Sequence, residues 1–459
     1  MKRNLRKAFA FILALTMVVS LFACGKKDAN PDGGDSSSDD TFTIAYIGPL
    51  TGEASAWGTP EANTLKLLVD QVNAEGGIAG KKVILNTYDN RGDNVETTNA
   101  AKKAIEVGGA DVIVGCNSSG ASLALASVCE EYKVPSVATC ATNSKVTEDD
   151  NGNVREWTFR VCLADPALGN VMAKYAYDEL GLRRIGILKE ISSDYSVGIS
   201  DNFSDTFTSL GGEIVGVESY TAGDVDFRAQ MTALHQKTPD ALFLPMTYKE
   251  LALATVQARD LGMDELFLGP DCWMAEDIFD LAGSAITGSY FVCTVDGNDS
   301  QLDSFKAMYE EAYHEPCDGA GQNAYFAYDA FVVIKQAVES AGSTAPKDIR
   351  DALETVENAQ GLTTPLQSAR TIRSSALPSS SAWMLRSSRR SIPTWLITVT
   401  DVNSLTATKR RSSSQLKKPA FLNERRRYSH VFAAADHRPV CWKHLCANGG
   451  RLFIDLQFT

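Results

Sequence analysis

The loop GCNSSG, Gly115 to Gly120, sets two hydroxyls, Ser118 and Ser119, between an apolar run (Val112 to Val114) and a helical pattern (ASLALASVCEEYK). Three chemistries suit such a junction: a nucleophile, a phosphate cradle, or a clamp for a small anionic group. It is not a Walker loop, because no Gly-Lys-Ser/Thr follows. It is not a nucleophile elbow either, since the serines stand three and four residues after Gly115. A helix N-terminus presents unpaired N–H groups and the positive end of a dipole. A carboxylate is held there without Lys or Arg, and Ser119 adds a hydroxyl. The plainer alternative is a serine that caps the helix.

Five more places carry polar or aromatic groups at strand ends. VATCATNSKVT offers the Ala141 carbonyl and the Thr142 hydroxyl, which suit an ammonium or a carboxylate, or else form a Thr/Ser-rich turn. GPDCW places Asp271 before the next helix, where it reads as a turn residue or helix cap. Trp57 in EASAWG, Tyr195 in SSDYSVG and Tyr248 in MTYKE are aromatics near loops. Hydrolysis needs a nucleophile elbow with a His after it, and before the C-terminal tail the His residues are His235 and His314 alone. An exported α/β hydrolase is therefore the weakest functional reading, and no cofactor or metal motif is expected.

The elements that position these groups alternate. FTIAYIG, KKVILNTYDN, ADVIVG and VPSVATC read as strands, each followed by a helical pattern or a loop. The helix PEANTLKLLVDQVNAEGG is expected to start near Pro60 and stop before Gly76 and Gly77. After WTFRVCLADP the alternation restarts with RRIGILKE, EIVGVESY, DALFLPM and DELFLGPDCW. Repeated βα units imply parallel sheets with helices on both faces. The fold class expected is α/β, with two doubly wound parallel-sheet lobes joined by a multi-strand hinge. Ligands of open α/β sheets sit off the carboxyl ends of the strands, so two facing lobes make a cleft.

The 459 residues carry a net charge of −13, which argues against nucleic acid. The charge is uneven. Residues 362–459 hold 16 Lys/Arg and 4 Asp/Glu, leaving 28 basic and 53 acidic residues to the rest. This tail has no sustained period, is rich in Ser and Arg, and holds 2 of the 34 Gly. It reads as a disordered basic segment or, preferably, as an out-of-frame product. At the other end, MKRNLRKAFAFILALTMVVSLFAC has a basic head and a short apolar run, the pattern of an export signal. LFAC resembles a bacterial lipobox in Leu21, Ala23 and Cys24, with Phe22 bulkier than usual, which implies lipid attachment at Cys24. The following GKKDANPDGGDSSSDD reads as a flexible tether. Of ten Cys, nine remain beyond Cys24, with no CxxC pair, and they read as small buried hydrophobes.

In order and spacing, AYIGPLTGEASAWG, VILNTYDN, VIVGCNSSGASLALA, VPSVATCATNSKVT, RRIGILKEISSDYSVG, DALFLPMTYKELALATVQARDLGM and FLGPDCW resemble the branched-chain amino-acid-binding type of ABC-transporter solute-binding lipoprotein. The resemblance covers about Thr41 to Gln360. It implies two lobes closing around a hinge of three strands. Lobe I would hold the amino acid with Ser119, beside Ser118, and with Ala141 and Thr142. Trp57 would cover the side chain from the first loop. Lobe II would close with Tyr195 and Tyr248, and Asp271 would take the ammonium where the family often carries the longer Glu. Trp273 would narrow the pocket. The implied plan is a signal peptide (1–23), a tether (24–40), lobe I (41–162), lobe II (163–289), a return to lobe I (290–361) and the tail (362–459). The implied partners are an amino acid, an ABC permease and the membrane through the N-terminal lipid. The chain would act as a monomer at the cell envelope. Sensing, or binding of an amide, urea or aromatic acid on the same fold, is the alternative. Past ALETVENAQGLT the family pattern is lost, so the third hinge strand and the lobe II edge are not visible in the sequence.

Overall fold

The computed structural model describes residues 40–366, apart from Glu53, Glu276, Asp296, Asn298, 318–320 and Thr364, together with 395–398. The expected signal peptide, Cys24, most of the tether and nearly all of the tail lie outside the described residues.

Lobe I is built on strands β1 (Thr41–Gly48), β2 (Lys82–Asp89), β3 (Val112–Gly115), β4 (Ser136–Ala138) and β5 (Thr158–Arg160). They run in the order β2-β1-β3-β4-β5, and every pair is parallel. Helices α1 (Ser55–Ala74), α2 (Asn94–Glu106) and α3 (Ser119–Tyr132) connect them. The chain then crosses into lobe II. There α4 (Asp165–Lys174), α5 (Asp194–Ser209), α6 (Arg228–His235), α7 (Tyr248–Asp260) and α8 (Asp277–Ala282) surround β6 (Arg184–Glu190), β7 (Glu213–Tyr220), β8 (Ala241–Phe243), β9 (Leu266–Gly269) and β10 (Tyr290–Cys293). After β10 the chain returns through α9 (Asp303–Tyr313), α10 (Asn323–Ala341) and α11 (Pro346–Leu353) to the short antiparallel pair β11 (Ala359–Gln360) and β12 (Pro365–Leu366).

The central strands are apolar without alternation because both of their faces are covered, whereas the edge strands β2 and β7 are partly exposed. On β1, Phe42, Ile44, Ala45, Tyr46 and Ile47 are all fully buried. Phe42, Ile44 and Tyr46 face the layer of α1 and α10, while Ala45 and Ile47 face α2 and α3. α1 meets its layer with Leu65, Leu68, Val69 and Val72, spaced for one helical face. α2 starts at Asp93, whose carboxylate accepts from the Val95 and Glu96 amides. In lobe II, Phe203 of α5 stacks on Phe243 of β8 with ring centroids 4.2 Å apart.

Three expectations change. α1 does not wait for Pro60 but begins at Ser55, so Trp57 stands on its first turn instead of a free loop. The return to lobe I does not begin at residue 290, because β10 pairs in parallel with β9 and belongs to the lobe II sheet. The lobe II edge is occupied: Trp395–Thr398 (β13) pairs antiparallel with β10, giving the order β13-β10-β9-β8-β6-β7.

The last turn before the tail is held by one buried side chain. Asp329 of α10 accepts from the amides of Leu362 (2.6 Å) and Thr363 (3.3 Å) and from the Thr363 hydroxyl (2.5 Å). Burial pushes its carboxyl up to about 6 against the pull of those donors. A chain ending after Gly361 leaves this carboxylate unpaired, while one ending after Leu366 keeps all three donors. The shorter variant is expected to be less stable by roughly 1–3 kcal/mol in urea unfolding, an unpaired buried polar group being costly. Equal midpoints for the two would remove the role given to Asp329.

Candidate functional site

In both sheets the strand order reverses direction at the first strand, between β1 and β3 in lobe I and between β6 and β8 in lobe II. Those switch points open crevices at the carboxyl ends of the strands. The residues singled out in the sequence all follow such ends: Trp57 after β1, Ser118 and Ser119 after β3, Ala141 and Thr142 after β4, Tyr195 after β6, Tyr248 after β8 and Asp271 after β9.

The lobe I wall is a turn and a helix start. Ser118 holds the N-cap position of α3 in an extended conformation but makes no capping hydrogen bond, and it is exposed. Ser119, one residue on, is buried, and its Oγ accepts from the Asn143 amide at 3.2 Å. Neither serine is the side-chain cap that the plainer alternative supposed. The first-turn amides of α3 lack intrahelical acceptors and stand beside them. The turn from Ala141 to Thr147 is shaped from beneath by Arg160, which is 2% exposed. Its Nη1 donates to the carbonyls of Ala141 (3.2 Å), Thr142 (3.0 Å) and Asn143 (2.9 Å), and its Nη2 to Ser144 (3.1 Å) and the Thr147 hydroxyl. The Ala141 carbonyl also receives the Cys162 thiol at 3.4 Å. It faces the interior and is not the ammonium acceptor that the sequence suggested. The Thr142 hydroxyl is buried and has no hydrogen-bond partner.

The lobe II wall is centred on Asp271. Its Oδ1 accepts from the Tyr195 hydroxyl at 2.7 Å and its Oδ2 from Gln322 Nε2 at 3.1 Å. Gln322 in turn accepts from the Thr294 hydroxyl at 2.8 Å. Burial raises the Asp271 carboxyl above its ordinary value while the Tyr195 and Gln322 donors lower it, and burial beside this acid holds Tyr195 well above the usual phenol range. Asp271 is the first residue of a short 3₁₀ turn that has no side-chain cap. Trp273 does not narrow a pocket. It is buried in lobe II, donating from Nε1 to the Leu244 carbonyl at 2.9 Å, and a Cβ on Gly269 would come within 2.0 Å of its ring.

The lobes touch across the cleft. Trp57 meets Tyr248 edge to face with ring centroids 5.7 Å apart, joining lobe I to the lobe II apolar cluster. Asn143 Nδ2 donates to the Asp194 carbonyl at the start of α5, at 2.6 Å. Sequence reasoning missed Asn143, Arg160, Asp165 and Gln322; Asn143 and Gln322 each meet a partner 51 residues away along the chain.

The arrangement defines a two-lobed protein that holds a small ligand between facing sheet ends. The model of the periplasmic binding protein family matches residues 41–388, and the chain belongs to that family. It is 29% identical over 302 residues to the Leu/Ile/Val-binding protein BraC3 of Rhizobium johnstonii, covering 66% of this chain and 80% of that one. It is 25% identical to the leucine-specific-binding protein of Salmonella typhimurium, covering 68% and 82%. Among solved structures it resembles the leucine-binding protein LivK of Thermotoga maritima, at 32% identity and a TM-score of 0.64 over 71% of this chain and 91% of that one. LivJ of Streptococcus pneumoniae, solved with isoleucine, matches at 26% identity and 0.64 over the same shares.

Beneath the cleft floor lies a second buried acid. Glu61 of α1 accepts from Thr139 Oγ1 (2.7 Å), Tyr46 Oη (2.8 Å) and Asn323 Nδ2 (3.1 Å), tying α1, β1, the β4 turn and α10 together. Burial pushes its carboxyl up to about 7, opposed by those three donors. The folded protein therefore holds this proton more tightly than the unfolded chain. The stability it contributes is complete below the unfolded value of about 4.5 and is lost as pH rises through 7. Glu61→Gln should flatten that slope, gaining up to about 3 kcal/mol relative to the wild type between pH 5 and pH 8. Urea midpoints at three pH values check this, and parallel profiles would refute it.

Proposed function

We propose that this chain is the extracytoplasmic solute-binding protein of an ABC importer. On this reading it holds an amino acid between its lobes, hands it to the permease and performs no catalysis. The observation that carries the reading is the split of charge-binding groups between the two walls. Lobe I offers the Ser119 hydroxyl, the α3 first-turn amides and the Thr142 hydroxyl, which suit a carboxylate. Lobe II offers Asp271, held by Tyr195, which suits an ammonium. Trp57 and Tyr248 cover what lies between. A dipolar ligand then bonds to both walls at once and favours the closed form by its differential affinity for it. The relatives and solved structures named for leucine, isoleucine and valine support the ligand class.

Attachment to the membrane follows from the lipobox-like LFAC: Cys24 carries the lipid, and residues 24–40 give the lobes reach. No helix among the described residues is long and apolar enough to cross a membrane. Cells fed labelled palmitate should label the wild-type protein and not Cys24→Ser, which should leave the membrane fraction. Equal labelling of both would end the anchor proposal.

A thermal-shift screen of the twenty L-amino acids, with urea, acetamide and 3,4-dihydroxybenzoate alongside, tests the ligand class. At a hundredfold excess over Kd the stabilisation is about 2.7 kcal/mol, a shift of several degrees. Asp271→Ala should lose the amino-acid shift and keep the unliganded melting behaviour. Retained affinity in Asp271→Ala would overturn its role, and a shift with dihydroxybenzoate alone would overturn the ligand class.

A further inference from the structure

Asn143 is 8% exposed, and each of its polar groups is engaged. Its amide donates to Ser119 Oγ at 3.2 Å, its carbonyl accepts from Arg160 Nη1 at 2.9 Å, and its Oδ1 accepts from the Lys145 amide at 2.9 Å. These three bonds fix the residue within lobe I. The fourth leaves the lobe: Nδ2 donates to the carbonyl of Asp194, the first residue of α5, at 2.6 Å. The next residue, Tyr195, carries the hydroxyl that holds Asp271. One side chain thus ties the Ser119 wall of lobe I to the Tyr195 and Asp271 wall of lobe II.

Two glycines make room for this contact. Gly198 stands one helical turn beyond Asp194, and side chains on a helix lean back over the preceding turn. A Cβ at 198 would lie 2.6 Å from Asn143 Nδ2 and 2.6 Å from Asp165 Oδ2, inside contact distance. Gly120, the second residue of α3, faces another part of the same seam. A Cβ there would lie 3.1 Å from the Asn94 side chain of lobe I and 3.2 Å from Asp194 Oδ2 of lobe II. Neither glycine has a left-handed φ, so backbone conformation does not call for glycine at either place. A glycine inside a helix is also less stable than an alanine there. What both positions share is the close approach of α5 to lobe I.

We infer that Asn143 is a positioning residue for closure: it latches the first turn of α5 onto lobe I, and the strength of that protein-to-protein contact sets the closed fraction and how long a guest stays. This rests on the amino-acid reading above and adds to it a determinant of affinity that works without touching the guest. A group that touches the guest changes the preference between guests. A latch changes only the balance of open and closed forms, so it scales the affinity for every guest by one factor. Release requires the latch to part, so most of that factor falls on the release rate.

The test uses the full-length wild type, Asn143→Asp and Gly120→Gln, with L-leucine and L-valine as probes. Asn143→Asp keeps the size of the side chain and the acceptor for the Lys145 amide, but it sets an acceptor where the donor to the Asp194 carbonyl stood. Gly120→Gln leaves Asn143 in place and wedges the seam from α3. Calorimetric titration should show each variant binding both amino acids tenfold or more weakly, with the leucine-to-valine ratio of the wild type preserved. Stopped-flow measurement should place the loss in faster release, and both variants should melt without ligand near the wild-type temperature. Wild-type affinity in Asn143→Asp overturns the inference, whether or not the unliganded melting temperature falls. So does a loss confined to one amino acid, the mark of a residue that touches the guest. If Asn143→Asp does not fold, Gly120→Gln decides by the same readouts. Failure of all twenty amino acids to bind the wild type overturns the amino-acid reading, and the latch with it, a result distinct from binding that the variants leave unchanged.

Discussion

Negative charge held out of water has to be answered by donors, and the junction of the two lobes concentrates it in Asp165 and Asp271. Asp271 is answered by the protein. Tyr195 from lobe II and Gln322 at the start of a lobe I helix each give it one hydrogen bond. Gln322 is fixed in turn by Thr294, so the acid is oriented by a chain of partners and not by one contact. Because the two donors come from different lobes, the position of Asp271 depends on the lobes being together. Asp165 is not answered in this way, since neither of its carboxylate oxygens has a hydrogen-bond partner.

Arg160 is a buried cation whose charge lowers the Asp165 carboxyl, yet its hydrogen bonds are all structural. Guanidinium donors reach four successive carbonyls and the Thr147 hydroxyl, which draws the 141–147 turn tightly around it. The carbonyls are taken up by Arg160, while the Asn143 amide donates to Ser119 Oγ. A guest carboxylate at lobe I therefore meets a helix start and hydroxyls without a fixed cation. Partial charges of this kind bind an anion without so deep an electrostatic well that release to a permease becomes slow. Trp57 and Tyr248 complete the closure with apolar contact, which does not depend on the charge state of either wall.

Much of this was legible in the sequence, for a physical reason. Strand and helix periods differ, so the βα alternation and both lobes could be read directly. Strand ends in such sheets face the cleft, so placing Ser119, Thr142, Tyr195, Tyr248 and Asp271 required no side-chain geometry. What could not be read is what depends on rotamers and distant partners. Asp165 stands before a proline at a helix start and looks like an ordinary first-turn acid. Gln322 meets Asp271 across 51 residues of chain. Trp273 sits two residues from Asp271 and looked like a pocket wall, but Gly269 leaves room for its ring and Leu244 takes its N–H. Local pattern gives the address of a side chain, and packing decides which way it turns.

Two kinds of anchor follow the break in composition at Gly361. Asp329 holds Leu362 and Thr363 through a side chain buried in lobe I, a contact that depends on one particular residue. Beyond it, β13 joins the lobe II sheet by backbone pairing along Tyr290–Cys293. Such pairing uses the N–H and C=O groups that every residue but proline carries. A stretch without family pattern can take that place, because an open strand edge accepts any chain able to lie extended against it. The side-chain-specific anchor thus lies within the family match, which ends at residue 388, and the sequence-tolerant one lies beyond it. Among the described tail residues, 362 and 363 are thus held by a particular side chain of lobe I and 395–398 by backbone pairing in lobe II.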